Sequence, residues 1–197
     1  SQGNTITSGF IDLATFDEIE KYLYGGADAT AYFVRETRKS TWFTQVPVTL
    51  SRASGNSEFG QDCSWSISRA GDYLLQSWLR VTLNPVEVVE NTNDPLRVRW
   101  TRNFMHNLVR ECSITFNDLV AARFDNYHLD FWAGFTVPEG KRNGYANMIG
   151  SVDSMLNAQE KIEAHVLNLP LPFFYGRDSG VALPTAALPY NEMRINF

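Results

Sequence analysis

Cys-Ser-Trp-Ser-Ile-Ser, at positions 63–68, places an apolar side chain at every odd position and a serine at every even one. This alternation is typical of a strand with one buried face, because successive side chains point to opposite sides of a sheet. Similar apolar stretches lie at 42–50, 73–83, 110–117 and 193–197. The side chains predicted to face inward are Trp42, Val46, Val48, Leu50, Cys63, Trp65, Ile67, Leu75, Leu79, Val81, Leu83, Cys112, Ile114, Phe116, Met193, Ile195 and Phe197.

Turn-forming residues separate these stretches, for example at 53–57 and 90–95. Many short strands divided by turns favour an antiparallel sandwich, because a parallel sheet needs a helix after nearly every strand. The sequence therefore predicts an all-β sandwich or jelly roll. Two prolines, Pro47 and Pro170, fall inside predicted strands and indicate edge positions, since proline cannot donate a ladder hydrogen bond.

Helical signals are few and short. Thr15 and Glu18 form a capping-box pattern before an amphipathic run over 16–23. A second helix is predicted to start at Asp125, because Phe124, His128, Phe131 or Trp132, and Phe135 lie at helical spacing. A third is predicted between Pro138 and Gly150, residues that suit the two ends of a helix.

Composition excludes several classes of protein. The chain has 197 residues, of which 44% are hydrophobic and 20% are charged, so it can bury a core without disulfides or metals. Disorder, a collagen-like repeat and a disulfide scaffold are thereby excluded. With 17 Lys and Arg against 22 Asp and Glu, the net charge of −5 argues against direct nucleic-acid binding. No apolar run is long enough for a transmembrane segment. Cys63 and Cys112 are expected to be free, buried thiols.

Motifs that resemble catalytic or metal sites are incomplete, so we predict no catalytic, cofactor-binding or metal-binding residue. Gly-Arg-Asp-Ser-Gly at 176–180 offers Ser179 as a nucleophile, but no histidine motif supplies its base, and a turn is the simpler interpretation. Gly134 to Gly140 lacks the spacing of a phosphate-binding loop and is expected to connect two helices. The three histidines are too dispersed to form a cupin metal motif. His128 is expected to pack on a helix beside Trp132.

Basic residues cluster at two places along the chain. Arg97 and Arg99 alternate with apolar residues and are expected on the solvent face of a strand. The cluster suits a contact between subunits better than a nucleic-acid site. Its members are Arg35, Arg38, Lys39, Arg97, Arg99, Arg102 and Arg110.

Three longer segments resemble a known family. They are Ile-Thr-Ser-Gly-Phe-Ile-Asp-Leu-Ala-Thr (6–15), Met-His-Asn-Leu-Val-Arg-Glu-Cys-Ser-Ile-Thr-Phe-Asn-Asp-Leu (105–119) and Leu-Pro-Leu-Pro-Phe-Phe-Tyr-Gly-Arg-Asp-Ser-Gly-Val-Ala-Leu-Pro-Thr-Ala-Ala-Leu-Pro-Tyr-Asn-Glu-Met-Arg-Ile (169–195). They are similar to the major capsid proteins of nucleocytoplasmic large DNA viruses, in particular the iridovirus and ascovirus branch. The resemblance extends over 6–197 and weakens at 84–96 and 151–167.

The resemblance implies the first half of a double jelly roll. Residues 1–40 would form an N-terminal arm with a short helix, and 41–197 an antiparallel eight-stranded jelly roll with short helices in its loops. The second jelly roll would be absent from this chain, which ends inside an alternating strand. We therefore expect residues 1–197 alone to aggregate, and the full-length chain to form stable trimers. A monodisperse, cooperatively melting monomer in light scattering would contradict that expectation.

The function implied is structural. Such proteins form homotrimeric, pseudo-hexagonal capsomers that contact neighbouring capsomers and minor capsid proteins in an icosahedral shell over an internal viral membrane. The implied location is the virion, assembled in the host cytoplasm, with no enzymatic activity. Two alternatives remain open at this point. One is a jelly-roll glycan- or receptor-binding module, which a glycan array would reveal; the other is a cupin-type enzyme, which a metal assay would reveal.

Overall fold

The computed structural model describes residues 10–11, 14, 30, 32, 35–89, 96–188 and 192–197. The chain divides into two compact units, residues 1–46 and 47–197. In the first unit, 35–46 is exposed and contains no helix or strand. The predicted helix at 16–23 lies outside the described residues.

The second unit contains nine described strands and four short α-helices. The strands are β1 (Arg52–Gly55), β2 (Cys63–Ser66), β3 (Trp78–Leu83), β4 (Val86–Glu87), β5 (Glu111–Phe116), β6 (Leu119–Asp125), β7 (Lys161–Ile162), β8 (His165–Pro170) and β9 (Met193–Asn196). The helices are α1 (Phe104–Leu108), α2 (Asn126–Thr136), α3 (Arg142–Ile149) and α4 (Asp153–Leu156). Short 3-10 turns lie at Glu139–Lys141, Phe174–Gly176, Ser179–Val181 and Thr185–Ala187.

All described strand pairs are antiparallel. The largest sheet has the order β1-β2-β9-β5-β6, and the pairs β3-β8 and β4-β7 form separate two-stranded sheets. The last strand, β9, lies between β2 and β5, so residues far apart in sequence meet at the centre of the sheet. This confirms a mostly sheet architecture with short helices in the loops.

The apolar core joins the large sheet, the β3-β8 pair and the helices. Ile114 on β5 and Ile195 on β9 are buried neighbours in the ladder. Leu169 on β8, Met105 on α1 and Leu129 on α2 belong to the same buried cluster. Burial of these side chains is the main stabilising term for such a fold.

The structure confirms several predicted elements. Strands β5 and β9 fall where alternation placed them, and Cys112, Ile114, Met193 and Ile195 are buried. The strand with Pro170 pairs only with β3 among the described strands, as its proline indicated. Helix α2 begins one residue after the predicted Asp125.

Helix α3 also follows the prediction. Gly150 ends it with a φ of 88°, a left-handed conformation that glycine adopts without strain. Pro138 precedes the 3-10 turn that leads into the helix.

One predicted strand is absent from the structure, and another is shorter than predicted. Residues 41–50 form no strand, and Trp42 and Val46 are exposed. Pro47 removes a backbone donor from the middle of this stretch, and alternation alone cannot replace a hydrogen-bonded partner. The strand predicted over 73–83 is regular only from Trp78 to Leu83, with Leu74 forming an isolated bridge to Leu183.

The alternation in β2 does not sort apolar from polar side chains as predicted. Ser64 is buried, and its hydroxyl forms a 2.7 Å hydrogen bond with the Ser54 hydroxyl on β1. Trp65 and Cys63 are only partly buried. The face of β2 that the pattern assigned to solvent therefore contains a buried serine, whose hydroxyl is satisfied by a hydrogen bond.

The two cysteines are both free, but only one is fully buried. Cys112 has no exposed surface, and burial, followed by the charge of Glu111, raises the pKa of its thiol. Cys63 is partly exposed, with its Sγ donating to the Asn56 carbonyl at 2.6 Å. The prediction that both thiols are buried is therefore wrong for Cys63.

We expect a bulky maleimide to label Cys63 in the native protein and to spare Cys112 until the chain unfolds. Accessible thiols ionise and react, whereas a buried thiol with a raised pKa does neither. Mass spectrometry of the labelled peptides, with Cys63→Ser as the control, measures this. Equal labelling rates at both cysteines would contradict it.

Candidate interaction surface

Helix α2 presents a row of exposed aromatic rings. Tyr127, Phe131 and Phe135 are spaced four residues apart, which places them on one face of a helix. Their exposed fractions are 78%, 60% and 77%, and the rings of Phe131 and Phe135 lie 4.7 Å apart between centroids. We call these three residues the aromatic stripe.

The local sequence explains why α2 forms and where it ends. The Asp125 carboxylate accepts a 2.8 Å hydrogen bond from the His128 amide, which caps the first turn. The Val137 amide donates to the Ala133 carbonyl at the other end, and Pro138 follows. On the opposite face, Leu129 is buried in the core.

The stripe is comparable in area to the largest apolar patches on single-chain proteins, which measure about 300–600 Å². A buried aromatic side chain covers about 150–250 Å², so three rings at these exposures present on the order of 400 Å². Patches of this size on a single chain are often sites of interaction. The stripe is therefore a candidate contact surface.

An open groove of about 1130 Å³ lies on the other side of α2. Helix α3 and the segment that follows β8 complete its walls, which are mostly apolar. We call it the α2–α3 groove. Its lining includes Trp78, Trp132, Tyr145, Met148, Pro172 and Phe173.

Two cations, Lys141 and Arg177, also line the groove. The Arg177 guanidinium lies 5.4 Å from the centroid of the Trp132 ring, a cation–π distance. His128 stacks on the Trp132 ring itself, with 6.0 Å between the two centroids, which agrees with its predicted packing beside Trp132. The groove thus combines aromatic walls with positive charge.

A buried histidine joins the three helices around this surface. His106 on α1 is 1% exposed; its Nδ1 lies 2.6 Å from Asp130 Oδ1 and its Nε2 lies 2.6 Å from the Tyr145 hydroxyl. Asp130 is on α2 and Tyr145 is on α3. In neutral His106, Nδ1–H donates to the carboxylate and Nε2 accepts from the hydroxyl. We call this arrangement the His106 clamp.

The clamp resembles a catalytic relay but does not supply a nucleophile. Burial, followed by the charge of Asp130, raises the pKa of Tyr145 to about 12, so its hydroxyl keeps its proton at neutral pH. Both ring nitrogens of His106 are already engaged. The arrangement therefore holds α1, α2 and α3 together and fixes the position of the aromatic stripe.

The other motifs that resemble enzyme sites fall on turns. The Asp178 side chain accepts from the Gly180 amide at 3.2 Å, which confirms the turn interpretation of 176–180. Within the described hydrogen bonds, none joins Ser179 to a histidine. Residues 134–140 contain the end of α2 and lead into the 3-10 turn before α3, which agrees with the expected connection between two helices. Across the described part of the chain, no group of three His, Cys, Asp or Glu side chains could hold a metal ion.

The basic cluster does not lie on a regular strand. Arg97 and Arg99 are exposed as expected, but Val98 forms only an isolated bridge with Gln159. Two backbone hydrogen bonds, at 2.8 and 2.9 Å, hold this bridge. The strand prediction at 96–100 is therefore wrong, while the alternating exposure is correct.

Ionisation of the buried Tyr175 phenol should lower the free energy of unfolding at high pH. Its side chain is 1% exposed, and burial raises its pKa from 10.0 to about 12, partly offset by its hydrogen bond with Ser77. Because the folded state favours the neutral phenol, the contribution of Tyr175 to stability is fully present below pH 10. That contribution is lost as the pH rises towards 12. We expect wild type to lose about 1.4 kcal/mol more than Tyr175→Phe between pH 8 and pH 11.

Urea unfolding at the two pH values measures this difference. Tyr73→Phe, at an exposed position, is the control. An equal loss of stability in wild type and Tyr175→Phe would contradict the prediction.

Comparison with solved structures gives the class of fold. The "Faustovirus major capsid protein" aligns with a TM-score of 0.63 at 12% identity, covering 89% of this chain and 47% of that one. The "PBCV-1 virus capsid, quasi-atomic model" aligns with a TM-score of 0.61 at 20% identity, covering 85% and 37%. Both neighbours are named as viral capsid structures, and the likeness shows that this chain shares their fold.

Sequence comparison identifies the family. Residues 31–197 match the family described as "Major capsid protein N-terminus". The chain is 68% identical over 200 residues to the major capsid protein of Tipula iridescent virus, covering 98% of this chain and 43% of that protein. It is 46% identical over 203 residues to that of Frog virus 3, covering 98% and 44%. The chain belongs to the major capsid protein N-terminus family, and it spans less than half the length of these curated relatives.

Proposed function

We propose that this chain is part of a structural major capsid protein of an icosahedral large DNA virus. Residues 1–40 would form an N-terminal arm, and 41–197 an eight-stranded jelly roll that forms one half of a double jelly roll. The family match and the likeness to viral capsid proteins support this assignment. The matched proteins are named as capsid proteins, so a glycan- or receptor-binding module is not favoured.

The partners we propose are copies of the same protein in a homotrimeric, pseudo-hexagonal capsomer. Neighbouring capsomers and minor capsid proteins would surround it, above an internal viral membrane and without direct contact with nucleic acid. Such a protein acts in the virion after assembly in the host cytoplasm and performs no catalysis. In the described part of the chain, no helix has the length and apolar character needed to cross a bilayer.

The observation that carries the proposal within the structure is the aromatic stripe. Tyr127, Phe131 and Phe135 project into solvent from a helix that the His106 clamp holds in place. Exposed apolar patches of this size are often sites of interaction. An assembly protein needs a rigid apolar surface of this kind.

The proposal is tested by measuring the mass of the complete protein in solution. Size-exclusion chromatography with light scattering should give three times the mass of one chain at micromolar concentration. A stable monomer over the whole concentration range would contradict the proposal. Binding to a glycan array by that monomer would favour the binding-module alternative.

A further inference from the structure

We infer that the aromatic stripe of one copy inserts into the α2–α3 groove of the next copy. This inference rests on the proposed self-association and names the surfaces that would perform it. The contact is heterologous, because two different surfaces of the same chain meet. Its occupant is a second copy of this chain.

The two surfaces lie on opposite sides of one helix, so a single copy can use both at once. Residues at 129 and 133 point about 160° away from the residue at 131 around a helix with 3.6 residues per turn. Leu129 and Ala133 line the groove, while Phe131 is 60% exposed on the stripe. One neighbour can therefore contact the stripe while another fills the groove.

The charge of the groove suits the aromatic rings of the stripe. The groove presents Lys141 and Arg177, and neither forms an ion pair with another described residue. A cation is attracted to the face of an aromatic ring, and Tyr127, Phe131 and Phe135 supply three exposed rings.

The stripe supplies part of the area that a stable contact needs. A stable interface buries about 800 Å² on each partner, and the stripe supplies on the order of half of this, so residues that flank the stripe would supply the rest. The groove, at about 1130 Å³, has aromatic walls against which rings can pack. Arg177 and Trp132 already form a cation–π pair there, and aromatic and arginine side chains are enriched at interfaces.

Symmetry connects this contact to the proposed trimer. Repeated heterologous contacts form a ring when the rotation between copies closes. Three copies, each with its stripe in the groove of the next, give such a ring with every stripe and every groove occupied. No aromatic stripe is then left in solvent.

The experiment uses two variants of the complete protein. Phe131→Ser with Phe135→Ser removes the stripe, and Gly144→Phe fills the groove. Gly144 lines the groove, and a Cβ built there meets no atom within 4 Å, so the new ring enters open space. Tyr73→Ser, an exposed ring elsewhere, and Gly71→Phe, another open glycine, are the matched controls.

We expect each variant to weaken trimer formation at least tenfold in light scattering, while both controls remain trimeric. Mixing the two variants should give heterodimers, because the intact stripe of one fits the intact groove of the other. Thermal unfolding of each variant at a concentration where wild type is monomeric should match that of monomeric wild type.

Three results would overturn the inference. If the stripe variant dissociates and the groove variant stays trimeric, the stripes pack against each other. If both variants stay trimeric, the trimer uses other surfaces. If both unfold at lower temperature as monomers, a further part of the same protein covers these surfaces. In contrast, a wild type that never self-associates refutes the proposed homotrimer itself, which distinguishes the two failures.

Discussion

Phe173→Ala should lower the free energy of unfolding by about 3–5 kcal/mol, the usual cost of truncating a buried aromatic ring. Phe173 is 1% exposed. Its ring lies 5.2 Å from that of Phe124 and 5.7 Å from that of Tyr175, measured between centroids. Because it links strand β6 to the segment after β8, the cavity would open between two separate elements.

The next residue provides a matched control. Phe174 has the same chemistry but is 40% exposed, so Phe174→Ala should cost about 1 kcal/mol. Urea unfolding of the complete protein measures both values. Since a whole domain is stable by only about 5–15 kcal/mol, Phe173→Ala should also reduce the yield of folded protein. Equal losses in the two variants would contradict the described core.

His106→Leu should cost about 2–3 kcal/mol, although leucine is apolar and similar in size to histidine. The substitution removes the hydrogen bonds of His106 to Asp130 and Tyr145, and it leaves the Tyr145 hydroxyl without its acceptor. Asp130 has a side chain that is 45% exposed, so water can replace its lost partner. The cost therefore arises mainly on the Tyr145 side.

A double-mutant cycle distinguishes the clamp from simple packing. Tyr145→Phe should destabilise the His106→Leu variant less than it destabilises wild type, because the hydrogen bond is already lost. His128→Leu, at an exposed histidine on α2, is the control and should cost less than about 1 kcal/mol. Additive effects of His106→Leu and Tyr145→Phe would contradict the clamp.

Local sequence patterns predicted the elements that are stabilised by residues within or next to them. Strands β5 and β9 alternate cleanly, and their inward residues Cys112 and Ile114 are buried. Helices α2 and α3 carry their own caps, Asp125 and Gly150. In each case the signal and the structure involve the same few residues.

Pairings between distant residues could not be predicted. The alternation over 42–50 looked like that of β5, but no described strand pairs with it. Ser64 is buried, and the partner of its hydroxyl is Ser54, which lies opposite it across β1 and β2. His106 meets Asp130 and Tyr145 across 24 and 39 residues of sequence, and no local motif marks that contact.

The candidate surface was hidden for a different reason. Helical spacing correctly placed Phe131 and Phe135 on α2, but a pattern of apolar residues does not tell which of them face solvent. Leu129 turns to the core, and Phe131 turns away from it. Only the packing of α2 against its neighbours determines which of its aromatic side chains are buried and which are exposed.

We propose that the complete protein builds a viral shell by assembling with copies of itself. Electron microscopy of the complete, purified protein tests this most directly. We expect particles with threefold symmetry and a pseudo-hexagonal outline, in which α2 lies at the contact between copies. Particles that contain a single copy, or threefold particles with α2 exposed to solvent on every copy, would contradict it.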